Sequence, residues 1–193
     1  MAAFLRAHRR RAGLTLDALA EATGLTKSYL SKIERGMSTP SIAVALKVAD
    51  VLDTDVEQLF SSAGDASALV IDRDGERAGA EGSPGAAVYE PIATGMVRKS
   101  MQPFLVRPTT QAGQPYMDHP GEEFIFVQQG TVEVEIPTQV ITLAEGDSLY
   151  FDSSTPHRVR SVSAERAVVM VVVYDRVDDV DAKTLRRRCG PTA

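Results

Sequence analysis

The chain has 193 residues but only one cysteine, Cys189, so neither an internal disulfide nor a cysteine-rich metal site can form within it. It has no run approaching the ~20 consecutive apolar residues that a membrane-spanning helix requires. The first residues, MAAFLRAHRRRAG, contain no apolar stretch long enough for a secretion signal. We therefore expect a soluble protein of a reducing, cytoplasmic compartment.

An overall excess of positive charge is also missing, since the formal net charge is −5. The charges are unevenly distributed, however. Up to Arg35 there are seven basic and three acidic residues, whereas from Ser61 onward there are 13 basic and 19 acidic residues. A basic beginning followed by an acidic body is typical of a nucleic-acid-binding segment joined to a segment that binds another kind of partner.

Two patterns of hydrophobic residues divide the chain. From Ala2 to about Phe60, apolar residues recur at spacings of three and four, which predicts five short helices. Beyond Ala87 the period changes to two and β-forming residues dominate, which predicts a sandwich or barrel. The run from Arg166 to Tyr174 is apolar at nearly every position and predicts a central strand. We therefore predict a helical domain over 1–60, a Gly- and Ala-rich linker over 61–87, a β domain over 88–176 and a tail over 177–193.

The segment LTLDALAEATGLTKSYLSKIER has the residue types that a helix-turn-helix requires at each offset. Thr15 can cap the first helix, and Gly24 can adopt the positive φ of the turn. The predicted buried positions are Leu16, Leu19, Ala20, Leu25, Leu30 and Ile33. A structural hairpin with a solvated polar face is the alternative, but the joint occurrence of these offsets favours DNA binding.

The second helix presents hydrogen-bond donors that suit phosphates and the edges of bases in a major groove. The segment from about Leu5 to Phe60 resembles the Cro/repressor-type helix-turn-helix family, often called the XRE family. The resemblance implies a homodimer that reads a palindromic operator in double-stranded DNA. Many relatives place a phosphate-binding glutamine where this chain has Asp17, so we expect no phosphate contact from that residue. The predicted DNA-binding residues are Thr15, Thr26, Lys27, Ser28, Ser31, Lys32, Ser38, Thr39, Arg9 and Arg10.

Two later segments, PYMDHPGEEFIFVQQGTVEVEI and LAEGDSLYFDSSTPHRVRS, resemble the two motifs of the cupin family. The resemblance covers most of Met101 to Tyr174 and implies a double-sheet β barrel with a pocket in its mouth. His119, Glu123 and Gly130 match the first motif, and Gly146 and His157 match the second. The expected fold is thus a five-helix helix-turn-helix domain followed by a cupin barrel.

A metal-binding cupin typically uses three histidines and one glutamate. Met117 stands in the place of the first histidine, and because its thioether is a soft ligand, a four-ligand site is not expected. His119, Glu123 and His157 remain and could bind one divalent ion, such as Zn, Fe, Mn or Ni, through a facial triad.

Three interpretations of the barrel stay open. In the first, the barrel is a metal-free pocket for a small polar effector. In the second, a divalent metal in the barrel helps to bind the effector or is itself sensed. In the third, the barrel is an enzyme. The enzyme would be a mononuclear iron oxygenase resembling the epoxidase that makes fosfomycin. The intact DNA-facing surface favours a non-enzymatic regulator, by default a repressor, whose operator binding responds to an effector. The predicted pocket residues are Arg107, Tyr116, Met117, His119, Glu123, Tyr150 and His157.

Overall fold

The computed structural model describes residues 2–54, 56–59, 69–74, 85–96 and 99–174. The predicted tail over 177–193 and most of the predicted linker lie outside these residues. Within the described ranges, no helix combines the length and the apolar character needed to cross a membrane.

In the described part of the chain, the N-terminal domain contains four α-helices and a short 3-10 helix. The α-helices are α1 (Ala2–Arg11), α2 (Leu16–Thr23), α3 (Lys27–Glu34) and α4 (Ile42–Val51), and the 3-10 helix is Val56–Leu59. The prediction of five short helices is therefore wrong in its count, because the structure has four α-helices and the fifth element is a single 3-10 turn. Asp53 adopts a positive φ of 48° that ends the run of α4. The few residues that follow form one tight turn, in which Val56 and Leu59 share a face and are both buried.

The α2–α3 hairpin forms as its sequence predicts. The Thr15 hydroxyl accepts a hydrogen bond from the Ala18 amide at 3.1 Å, and the Thr26 hydroxyl accepts one from the Tyr29 amide at 3.2 Å, which caps both helices. Gly24 ends α2 with φ 68°, as expected for the turn. The predicted core positions are buried (Leu19, Leu30, Ile33) or packed against the core with partial exposure (Leu16, Ala20, Leu25).

The residues from 85 onward that the structure describes form eight strands in two antiparallel sheets. The strands are β1 (Val88–Pro91), β2 (Met101–Arg107), β3 (Glu122–Gln129), β4 (Thr131–Ile136), β5 (Gln139–Ala144), β6 (Ser148–Asp152), β7 (Arg158–Ser161) and β8 (Val168–Tyr174). One sheet has the order β1-β2-β8-β3-β6 and the other β5-β4-β7. Strand β8 lies in the middle of the larger sheet, which confirms the prediction of a central strand there.

Alternation along these strands places one face of each sheet in the core. Phe104, Ile125, Val132, Val134 and Val173 are fully buried between the sheets. Since successive side chains in a strand point to opposite faces, the pairing register decides which polar residues enter the barrel. Glu123 pairs with Phe151 and Val173 and therefore points inward with them.

Candidate DNA interface and barrel pocket

Helix α3 presents the predicted DNA-binding side chains on one surface. Lys27, Ser28 and Lys32 are exposed, and Ser31 is half-buried. Because Leu30 and Ile33 anchor the opposite face in the core, this polar face is held outward. The hydroxyls of Thr15 and Thr26 accept capping hydrogen bonds, and each still has an O–H to donate.

Asp17 lies on the same surface, at the first turn of α2. Its carboxylate accepts a hydrogen bond from the Lys27 ammonium at 2.8 Å, and both side chains are more than half exposed. A phosphate approaching Lys27 therefore meets a carboxylate that already holds the ammonium group.

Arg9, a predicted DNA contact, is instead part of the domain core. Its guanidinium donates to the two carboxylate oxygens of Glu34 at 2.6 and 3.0 Å and to the backbone carbonyl of Leu14 at 2.8 Å. The hydrogen bond to Glu34 raises the pKa of Arg9 further. Since Arg9 is buried and each of its three guanidinium nitrogens donates a hydrogen bond within the domain, the structure corrects this prediction. Arg10, the next residue, is exposed.

Ser38 and Thr39 lie in the loop between α3 and α4. Thr39 is exposed and Ser38 is half-buried. Ser38 forms a hydrogen bond with the Tyr29 side chain; burial raises the pKa of Tyr29, and this bond opposes the rise. The loop is thus tied to α3 by its own side chains.

In the barrel, three predicted ligands converge from separate elements. His119 precedes β3, Glu123 is the second residue of β3, and His157 precedes β7. His119 Nε2 lies 2.9 Å and His157 Nε2 lies 3.5 Å from the same Glu123 carboxylate oxygen. All three side chains are buried, and one potential ligand atom from each lies within 4.8 Å of the others.

Backbone carbonyls orient both imidazole rings. His119 Nδ1 donates to the carbonyl of Pro120 at 3.2 Å, and His157 Nδ1 donates to that of Thr155 at 2.8 Å. In a neutral ring, this arrangement directs the Nε2 lone pair toward Glu123. A lone pair on each Nε2 repels the Glu123 carboxylate oxygen unless a proton or a metal cation lies between the nitrogen and the oxygen.

The charges of the cluster agree with this arrangement. Burial would raise the pKa of Glu123, but hydrogen bonds from His119 and His157 outweigh it, so the pKa is lowered. Burial would lower the pKa of His157, yet the hydrogen bond and charge of Glu123 raise it. The cluster therefore favours an ionised Glu123 carboxylate beside a positively charged group.

The donor set also fits one divalent ion. Ligands bound at about 2.1 Å and at right angles lie about 3.0 Å apart, close to the two Nε2–carboxylate distances. Two imidazoles and a carboxylate suit Zn²⁺, Fe²⁺, Mn²⁺ or Ni²⁺. Met117 lines the cavity at this cluster, and its backbone pairs with that of His157 in both directions at 2.9 Å.

Two predicted pocket residues lie elsewhere. Arg107 follows the inward-facing Val106, so it points to the other face of β2, where it pairs with Glu90 at 3.4 Å. Tyr150 precedes Phe151, whose ring contacts His157, so Tyr150 points outward, is 63% exposed and bonds Glu122. The prediction of both residues in the pocket is therefore wrong.

Tyr116 lies at the mouth of the barrel, as predicted, at the edge of a larger cavity. The Arg158 guanidinium lies 4.6 Å from the centre of its ring. That guanidinium also donates to Glu135 at 3.0 Å and to the Gln114 carbonyl at 2.6 Å.

Sequence reasoning missed two contributors to the barrel pocket. Tyr89 of β1 and residues 41–43 at the start of α4 line a cavity of about 70 Å³ together with His119, Glu123 and His157. Burial, the charge of Glu123 and the proximity of Tyr29 raise the pKa of Tyr89 to about 12. Both contributors lie outside the two cupin motifs, and no local pattern marks them.

The chain has a capped helix-turn-helix with a polar reading face, followed by a small double-sheet barrel with a histidine–glutamate cluster in its mouth. These features define a two-domain class of protein in which a DNA-binding module is joined to a cupin. Comparison with family models supports the assignment of both domains. Residues 5–59 match the helix-turn-helix family HTH_3, and residues 104–174 match the cupin domain family Cupin_2.

Individual proteins that are similar to this chain are also named as transcriptional regulators. The chain is 31% identical over 78 residues to an HTH-type transcriptional regulator of Methanothermobacter thermautotrophicus, covering 40% of this chain and all of that protein. It is 27% identical over 159 residues to the HTH-type transcriptional regulator PuuR of Escherichia coli, covering 81% and 84% of the two chains. The chain belongs to the HTH-type transcriptional regulators, with an HTH_3 domain and a Cupin_2 domain.

Other relatives match over a shorter stretch of the chain. SlrR of Bacillus subtilis is 42% identical over 59 residues, and the match spans 30% of this chain and 39% of SlrR. Among solved structures, an HTH_3 family transcriptional regulator from Vibrio cholerae aligns with a TM-score of 0.61 and 26% identity, covering 90% and 93% of the two chains. Hydroxypropylphosphonic acid epoxidase from S. wedmorenis aligns with a TM-score of only 0.43 and 22% identity.

Proposed function

We propose that this regulator binds a palindromic operator as a homodimer and that a small-molecule effector in the barrel alters its affinity for DNA. The observation that carries the proposal is the buried cluster of His119, Glu123 and His157, which lies in a cavity also lined by the start of α4. A site of this chemistry, placed against the DNA-binding domain, suits a sensor coupled to a reader of DNA.

In the proposed complex, helix α3 enters the major groove. The contacts come from its exposed face and the caps, with Lys27, Ser28 and Lys32 nearest the bases and phosphates and Thr39 near the backbone. One chain offers one reading helix, whereas a palindrome has two half-sites about 34 Å apart, so two chains are needed. A dimer covering such a site blocks polymerase without further contacts, which is why repression is the proposed outcome.

For the barrel, we propose a divalent transition metal held by His119, Glu123 and His157. Three protein ligands leave coordination positions at which the ion would attract a donor atom of the effector. The second candidate is a metal-free pocket. The 2.9 Å hydrogen bond between His119 and Glu123 favours it, because a protonated imidazole satisfies the carboxylate equally well.

The regulator names of the relatives that match across both domains support effector binding over catalysis. Effector binding requires a modest coupling free energy between the two sites, about 1–3 kcal/mol, or about 5- to 150-fold in DNA affinity.

The test uses the full chain and an operator selected from random DNA by that chain. Metal content is measured by elemental analysis of protein purified without chelator. Operator affinity is then measured at fixed salt for the loaded protein and for protein stripped with chelator. A change of about fivefold or more supports the proposal. Equal affinities at full and zero occupancy would remove the metal from control of DNA binding.

A further inference from the structure

A second, larger cavity lies between the helical domain and the barrel mouth. It has a volume of about 690 Å³, within the range of roughly 300–1,000 Å³ typical of sites for small organic ligands. Tyr29, Ser38 and Lys47 line it from the helical domain, and Tyr116, Asp118 and Arg158 line it from the barrel.

This cavity adjoins the one at the cluster of His119, Glu123 and His157. Ser41, Tyr89, Met117 and Arg158 line both cavities. The cavity at the cluster, about 70 Å³, is too small for an organic ligand, because such sites begin at roughly 300 Å³. A ligand that reaches the cluster must therefore place most of its atoms between the two domains.

The charged side chains that line the cavity favour a negatively charged ligand. The Arg158 guanidinium is already occupied by Glu135, Gln114 and the Tyr116 ring. Lys47 is exposed on α4 and, within the part of the chain that the structure describes, its ammonium has no ion-pair or hydrogen-bond partner. A free cation at the wall of a cavity favours an anion.

Asp118 sets the orientation of that anion. It is exposed at the barrel side of the cavity, and its charge acts on His157. A second negative group there is repelled, whereas Lys47 attracts one at the helical side. Tyr29, Tyr89 and Tyr116 also line the cavity, and their rings suit an apolar or aromatic body.

We infer that the effector is a small organic carboxylate that spans both cavities, with its negative end at Lys47, so that the helical domain completes the effector site. This inference rests on the proposed function, since it names the ligand class and the second half of the same site. Ser38 and Thr39, both predicted to be DNA-binding residues, line the same cavity. Ligand and DNA therefore both act on the loop between α3 and α4 of one chain. This effect would add to any change in the distance between the two reading helices of a dimer.

The experiment compares benzoate with its neutral analogue benzamide in calorimetric titrations of the full chain at pH 7. Wild type should bind benzoate about tenfold more tightly than benzamide, because the carboxylate makes one charge-assisted contact that the amide lacks. Lys47→Ala should abolish this preference without changing the affinity for benzamide, and Lys47→Arg should retain it. Arg11→Ala, which removes an exposed positive charge on α1 outside the cavity, should leave both affinities unchanged.

Equal binding of the two probes by wild type, or a preference that survives in Lys47→Ala, would overturn the inference. So would the absence of saturable benzoate binding at tens of millimolar, because a cavity of this volume easily accommodates benzoate. Operator affinity is measured in parallel. If the preference depends on Lys47 but benzoate leaves operator affinity unchanged, the composite site holds and the proposed control of DNA binding fails.

Discussion

The Asp17 carboxylate lies 2.8 Å from the Lys27 ammonium, across the turn that joins the two helices of the reading motif. Both residues face the surface proposed to meet DNA. An exposed pair of this kind contributes about 0–1 kcal/mol to folding, so its main effect is on the charge that DNA encounters.

We expect Asp17→Asn to tighten DNA binding. The change removes a negative charge from the interface and releases Lys27 for a phosphate, so the slope of log affinity against log salt should steepen by about 1 per subunit. Fluorescence anisotropy with the selected operator at several salt concentrations measures both quantities. Asp50→Asn, the same change at an exposed position on α4, is the control and should have a smaller effect. Unchanged affinity in Asp17→Asn would show that Lys27 does not contact DNA.

Lys32→Ala should weaken DNA binding. If Lys32 contacts a phosphate, the loss is similar for different DNA sequences and the salt slope falls by about 1 per subunit. Binding to the selected operator and to an unrelated duplex separates this outcome from base reading, in which the operator alone loses affinity. Full retention of affinity on both duplexes would place Lys32 outside the interface.

Arg9→Ala should destabilise the helical domain. It leaves the buried Glu34 carboxylate unpaired, and breaking such a pair costs about 3–5 kcal/mol. Urea denaturation followed by circular dichroism measures the loss. Arg10→Ala is the matched control: its side chain is exposed, so the free energy of unfolding should change by less than about 0.5 kcal/mol while DNA affinity falls. Equal stability of the two variants would show that the Arg9–Glu34 pair does not hold α1 to α3.

Glu123→Gln should reduce metal binding. A neutral amide replaces the only charged ligand of the cluster, and we expect the affinity for Zn²⁺ or Ni²⁺ to fall by about 100-fold or more. Competition with a coloured chelator measures it. Glu122→Gln changes the adjacent residue, which faces the outside of the sheet beside Tyr150, and should bind metal like wild type. If both variants bind alike, Glu123 is not a ligand.

Much of the helical domain was predictable because its determinants are local. Thr15, Gly24 and Thr26 mark caps and a turn within a few residues of their partners, and the spacing of Leu19, Leu30 and Ile33 marks the buried faces. The fifth helix was overpredicted because a period of three residues fits one turn of 3-10 helix as well as the start of an α-helix.

The cluster of His119, Glu123 and His157 was predictable for a different reason. His119 and Glu123 lie four residues apart on one motif, and His157 belongs to the second motif, so the resemblance to cupins already paired them. Arg107 and Tyr150 were misplaced because a shift of one residue along a strand moves a side chain to the opposite face. The register of β2 and β6 is set by their neighbours in the sheet, which the local pattern of these short strands does not specify.

The sequence by itself thus determined a helix-turn-helix with its caps, a strand-rich second domain and the three residues of the cluster, because each depends on short-range periodicity or on a motif. Tertiary structure decided the rest. It buried Arg9 against Glu34, 25 residues away, turned Tyr150 outward, and brought Tyr89 and the start of α4 to the barrel mouth. It also brought Lys47 and Asp118 to the wall of one cavity. These placements depend on packing between distant segments, where burial and charge pairing over the whole chain select among faces that look alike locally.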